Sequence, residues 1–165
     1  MQHIRRIALT PLLVLVAACG FHLRGTADLP FNTLYMPGTT GTGIALDLAR
    51  NIQAGTNAKV VDDPKGAEAI LQFTTEAREK EILSLTGTGR VREFRLRYRV
   101  GFRVHDGKGN DFIPLNTLEL TRDISFNDAE VLAKESEEQL LFRDMQSDMV
   151  QQILRRLSAA KKPVA

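Results

Sequence analysis

The sequence predicts an α+β fold: a two-layer sandwich in which a roughly four-stranded, mainly antiparallel sheet carries two helices on one face. Three observations lead there. Residues 91–105 alternate in polarity, with Phe94, Leu96, Tyr98, Val100, Phe102 and Val104 set against Arg95, Arg97, Arg99 and Arg103. That period of two marks a strand buried on one face. Leu141, Met145, Met149, Ile153 and Leu157 step by four, and Val150 and Leu154 widen the stripe, as in a helix that covers such a face. Ile44, Leu46, Leu48, Ala49 and Ile52 repeat the helical pattern on a smaller scale.

The elements follow in order. Residues 33–36 form a short strand stopped by Pro37-Gly38, and a Gly/Thr loop over 39–43 leads into the first helix, which ends near Gly55. Lys59-Val60-Val61 is a further short strand closed by Asp62-Asp63-Pro64. A meander comes next. Its first strand spans 69–83, with Leu71, Phe73 and Ala77 on one face, and a Gly-rich tip over 85–90 turns the chain into the alternating strand. Asp106-Gly107-Lys108-Gly109-Asn110 is a hairpin loop. The third strand, 112–126, puts Leu118, Leu120, Ile124 and Phe126 on one face, and Pro114 marks its early part as an edge or irregular segment. The last helix has two possible starts: a cap at Asn127-Asp128, or a capping box of Ser136 with Gln139. The chain shows no internal repeat. A single domain is expected over 33–160, with a frayed tail over 161–165.

Residues 1–18 do not read as part of the fold. Arg5 and Arg6 precede an apolar run over 7–16, then Ala17 and Ala18 lead to Cys19. Charge, apolar run and small residues are the layout of a secretory signal. The run falls short of the roughly 20 apolar residues of a transmembrane helix. Val16-Ala17-Ala18-Cys19 resembles a bacterial lipobox, which implies cleavage before Cys19 and acylation of that cysteine. Acyl chains contribute about 0.8 kcal/mol per buried methylene, so several make a durable anchor. Cys19 is the only cysteine and has no disulfide partner in the chain. Residues 19–32 then form a lipidated tether. Gly20, rather than Asp, favours the outer membrane as the destination.

The full chain carries 22 Lys+Arg against 20 Asp+Glu, and removal of Arg5 and Arg6 leaves 20 of each. A neutral exported chain does not point to nucleic acid. No catalytic constellation is present. His3, His22 and His105 are scattered, no metal-ligand spacing is found, and no cofactor is expected. The Gly38–Gly43 segment lacks the lysine of a P-loop and reads as a plain helix-leading loop. Glu79 and Glu81 alternate with Arg78 and Lys80 and read as solvated charge.

Arg95, Arg97, Arg99 and Arg103 project from one face of one strand. Two readings stand: a surface that takes phosphate or carboxylate groups in planar guanidinium forks, or a solvated face neutralised by cross-strand acids such as Glu76, Glu119 and Asp123. The meander also brings its tip, with Arg90, to the end of the sheet that holds residues 127–134, with Lys134. That pair is the better candidate for a polyanionic lipid, because tips are exposed.

Cys19-Gly20-Phe21-His22-Leu23-Arg24-Gly25 resembles the mature start of the LptE family of lipopolysaccharide-assembly lipoproteins. Ala133-Lys134, the acidic stretch over 135–138 and Met149-Val150-Gln151-Gln152-Ile153-Leu154-Arg155-Arg156-Leu157 resemble the same family near the C-terminus, and the order of elements between them fits. The resemblance implies a non-enzymatic protein of the outer membrane. It implies a plug inside the β-barrel LptD that aids assembly of the barrel and passage of lipopolysaccharide, with lipopolysaccharide itself as a ligand. A stand-alone lipoprotein that binds anionic glycolipid or cell-wall polymer through the arginine face is the alternative.

Overall fold

A computed structural model describes residues 27–40 and 43–163. The elements are β1 (Thr33–Tyr35), α1 (Ile44–Gly55), β2 (Lys59–Val61), β3 (Ala69–Leu85), β4 (Val91–His105), β5 (Asp111–Ser125) and α2 (Val131–Ala159). They form the expected α+β sandwich. The sheet has five strands in the order β2-β1-β3-β4-β5, one more than expected, because both short strands join it. β1 runs parallel to β2 and to β3, while β3, β4 and β5 are antiparallel neighbours. The parallel part follows from α1: a helix between two strands carries the chain back, so β2 starts at the same end as β1.

Both helices cover one face. From the sheet, Leu71, Leu96, Tyr98, Val100, Phe102 and Val104 are fully buried. From α1 come Ile44, Leu48 and Ile52, and from α2 come Met145, Met149, Val150, Ile153 and Leu157. Each such side chain contributes about 1.5–3 kcal/mol by leaving water. That stripe, rather than its cap, holds α2, since Glu130 at the N-cap makes no side-chain capping bond. Of the two possible starts, the earlier is used. The Asn127 side chain accepts from Ala129 N–H and caps a short 3-10 turn that runs into α2. Ser136 lies inside the helix and donates to Leu132 O, the usual outlet for a mid-helix hydroxyl.

The approach to the fold is shorter than expected. Leu29 and Phe31, read as tether, are core residues, and Phe31 meets Phe112 edge to face with ring centroids 5.4 Å apart. Cys19 and residues 1–18 lie outside the described residues.

One irregularity sets the chemistry of both faces. Leu71 and Phe73 pair with Val104 and Phe102 on the helix side. The register then slips, so that Thr75 pairs with Gly101 and Ala77 with Arg99. The slip is a bulge at Thr74, and one extra residue flips the side chains that follow it, as far as Ile82, to the opposite face. Ala77 therefore does not share a face with Leu71 and Phe73, as alternation alone led us to expect. Glu76, Arg78, Lys80 and Ile82 turn toward the helices, and Glu79 and Glu81 turn toward the arginines. The bulge is seated on Gly101. A Cβ there would lie 2.6 Å from Thr74 Oγ1, so a residue with a side chain forces the Thr74 hydroxyl or the bulge to shift.

Candidate functional site

On the sheet face away from the helices, β4 presents its four arginines and its neighbours answer each one. Arg95 donates from Nε and Nη2 to the two oxygens of Asp123, at 2.8 and 3.1 Å. Arg97 forks onto Glu81 at 2.8 and 3.2 Å and also reaches Glu79 at 3.4 Å. Its Nε stands 3.4 Å from Glu119, an ion pair without an aligned hydrogen bond. Arg99 reaches Glu79 and Glu119, and Arg103 donates to Asp111 at 2.7 Å. Four arginines thus meet five carboxylates, so the face holds no excess of positive charge. The hydrogen bond from Arg95, with its charge, holds the Asp123 carboxyl below the usual carboxylate range and raises the Arg95 guanidinium in turn. Of the two readings of this strand, the ladder shows cross-strand neutralisation.

The acids are partly those expected and partly not. Glu119 and Asp123 pair as anticipated, whereas Glu76 does not. The bulge carries Glu76 to the helix side, where it accepts from the Tyr98 hydroxyl at 2.7 Å. Burial, then the Glu76 bond and charge, push the Tyr98 phenol above its ordinary value. Glu79 and Glu81 take the place expected of Glu76. The only sequence signal of this exchange was a glycine interrupting the arginine series at position 101.

At the far end of the meander the β3–β4 tip meets the start of α2. Arg90 stands 3.6 Å from Asp128, and both side chains are mostly exposed, at 74% and 61%. Phe126 N–H donates to Arg92 O at 2.8 Å. Lys134 is more enclosed, with 17% of its side chain exposed, and its Nζ donates to Ser125 Oγ and Glu137. Two concavities lie here. One is lined by Arg90, Val91, Phe126 and Asp128. The other is lined by Lys80, Phe94, Phe126, Val131 and Lys134. Phe126 belongs to both and stacks edge to face on Phe94, while Lys80 Nζ lies 4.3 Å over the Phe94 ring. The structure therefore brings Arg90 and Lys134 to one end of the sheet, and leaves Arg95, Arg97, Arg99 and Arg103 along its open face.

Sequence reasoning missed the apolar part of this end. Among the described residues, seven large apolar side chains are exposed, and six of them are Ile82, Leu83 and Leu85 on β3 with Val131, Leu132 and Leu140 on α2. Their signal was the uncharged run over 82–89, followed later by Val131-Leu132 directly after a cap. Tips usually carry polar residues, so an apolar tip marks a contact surface.

Comparisons with known proteins give the chain's relatives. A family model described as LptE, lipopolysaccharide-assembly, matches residues 31–157. The LPS-assembly lipoprotein LptE of Photorhabdus laumondii is 27% identical over 161 residues, covering 95% of this chain and 87% of that protein. The solution structure of lipoprotein B from Nitrosomonas europaea superposes with a TM-score of 0.73 at 48% identity, over 85% of this chain and 91% of that one. The crystal structure of rare lipoprotein B from Shewanella oneidensis gives 0.67 at 26% identity, over 78% and 95%.

Proposed function

Because the chain belongs to the LptE family of lipopolysaccharide-assembly lipoproteins, we propose that it is an outer-membrane subunit, acylated on Cys19 and seated inside the β-barrel LptD, that helps lipopolysaccharide reach the outer leaflet. The observation that carries this reading is the polarity of the domain. The chain enters at one end, where Ala27 N–H donates to Gly55 O. Six of the seven exposed large apolar side chains among the described residues gather with Arg90 and Lys134 at the other. Cations beside exposed hydrocarbon are the chemistry that an anionic amphiphile requires.

Dimensions support the same arrangement. β4 has 15 residues, which at about 3.3 Å each spans about 50 Å. A bilayer with its headgroups is about 40–45 Å thick. A domain anchored at its base by Cys19 and standing upright in a barrel carries its tip to the opposite leaflet. The arginine face suits such a setting: it is polar, neutralised within itself, and compatible with the polar lumen of a large barrel. A stand-alone binding module that takes anions on this face would first have to displace the acids of β3 and β5.

Binding of purified lipopolysaccharide by the Arg90→Glu, Lys134→Glu double variant tests the tip. We expect binding to fall markedly, while Arg95→Gln with Arg99→Gln leaves it near the unsubstituted level. Unchanged binding in the first variant removes Arg90 and Lys134 from the site.

A further inference from the structure

Residues 149–165 carry four cations, Arg155, Arg156, Lys161 and Lys162, and no acidic side chain. All four are exposed. None of them forms an ion pair, and Arg156 donates only to the neutral Asn116 side chain, at 2.6 Å. This is the reverse of the open sheet face, where an acid answers each arginine. The acids of the same end are engaged elsewhere. Asp111 pairs with Arg103, Asp106 accepts from Lys108 N–H and from Asn110 in its own hairpin, and Glu68 holds Asn32. Asp28 forms no ion pair with any of the four. A cation in the last turn suits the negative end of a helix, which accounts for Arg156. Lys161 and Lys162 stand past Ala160, the C-cap of α2, where that attraction fades.

Position says what such a patch meets. α2 runs from tip to base, so its last turn stands at the end where the chain enters. Arg155 and Ala27 line one cleft between the ends of the two helices, and Ala27 is held there by its bond to Gly55 O. Cys19 precedes Ala27 by eight residues, so lipid and Ala27 are at most about 28 Å apart. Any separation up to that limit keeps the patch beside one leaflet, at an effective concentration of about millimolar. A weak attraction is then enough. Each Lys or Arg close to an anionic bilayer strengthens it by about fivefold.

We infer that Arg155, Arg156, Lys161 and Lys162 dock on the anionic phospholipid headgroups of the leaflet that holds the acyl chains. The patch stands on its charge and its place in the fold; the choice of a bilayer rests on the acylation of Cys19 proposed above. Lipid holds the protein to the membrane, and the patch sets how the domain stands on it. The C-terminal end of α2 faces the headgroups. The 29 residues of the helix, about 43 Å long, separate that level from the tip. An upright domain with its base at one leaflet needs such a contact.

The test uses the full acylated protein in lipid nanodiscs of two kinds, phosphatidylcholine alone and phosphatidylcholine with phosphatidylglycerol. Rates of amine labelling at Lys161 and Lys162 are read by mass spectrometry, with Lys80 near the tip as the internal reference. Docking predicts labelling slower by about threefold or more in the anionic discs. The difference should vanish near 1 M salt, where the screening length is about 3 Å. Arg155→Gln with Arg156→Gln alters no core residue and should weaken the slowing at both lysines. Equal rates in the two kinds of disc overturn the inference. Slowing that survives high salt or the double variant in full also overturns it. Slowing found only in native outer membranes, and in neither disc, assigns the patch to an acidic protein, and the inference falls in that case too. Intact mass reports acylation separately. If no acyl chain is found, cosedimentation with vesicles of the same two compositions replaces the discs, and equal sedimentation overturns the patch.

Discussion

Tyr98 and Asp123 show how single side chains tune the sheet. The Tyr98 phenol is fully buried beside Glu76 and titrates above its ordinary value. A group whose folded value is raised contributes stability that is present below the unfolded value, near 10, and is lost as pH rises through the folded one. Unfolding midpoints should therefore fall above pH 10, and Tyr98→Phe should remove that fall at a cost of about 1 kcal/mol at neutral pH. Urea titrations at stepped pH check it; the same alkaline fall in Tyr98→Phe would assign it to other groups. Asp123 is the opposite case. Its folded value is depressed, chiefly by the Arg95 hydrogen bond, so its contribution is present above the unfolded value and lost as pH falls through the folded one. Asp123→Asn should flatten the acid side of the same titration, modestly, because the pair is exposed to solvent. At this scale the four arginines were legible because alternation is local. Their partners were legible only in part, since one bulge residue at Thr74 exchanged Glu76 for Glu79 and Glu81.

At the scale of elements, that bulge is the feature that governs pairing between β3 and β4. Gly101→Ala would place a methyl on Thr74 Oγ1. Overpacking of this kind costs about 1–3 kcal/mol, and denaturant unfolding should show it. Thr74→Ala in the same chain should return part of the loss, because the two sites share one contact. An additive double variant would mean that the glycine serves some other purpose. The strands and helices themselves were readable, because their periods of two and four persist over many residues. One boundary was not: the 27–32 segment has no period, yet it buries Leu29 and Phe31 by tertiary contact. β1 and β2, three residues each, were readable as short strands, whereas their membership of the sheet was not, because it is set by how α1 packs on its face.

The whole molecule is polar from base to tip. Its base receives the N-terminal segment, and its tip carries Arg90, Lys134 and most of the exposed apolar surface. The cationic half of that tip was legible, since the order of a simple meander fixes which loops share an end. The apolar half was not, because exposure of Leu132 or Ile82 depends on how α2 leaves the sheet. In the reading proposed above, the base stays with the inner leaflet and the tip with the outer one, inside a barrel. Co-purification tests that claim most directly. Full-length protein with a C-terminal tag is drawn from outer membranes in mild detergent, and the accompanying chains are identified by mass. Seating inside a barrel predicts one large β-barrel protein at near-equal stoichiometry. Recovery of the lipoprotein alone, from a preparation in which other barrel complexes survive, would contradict it.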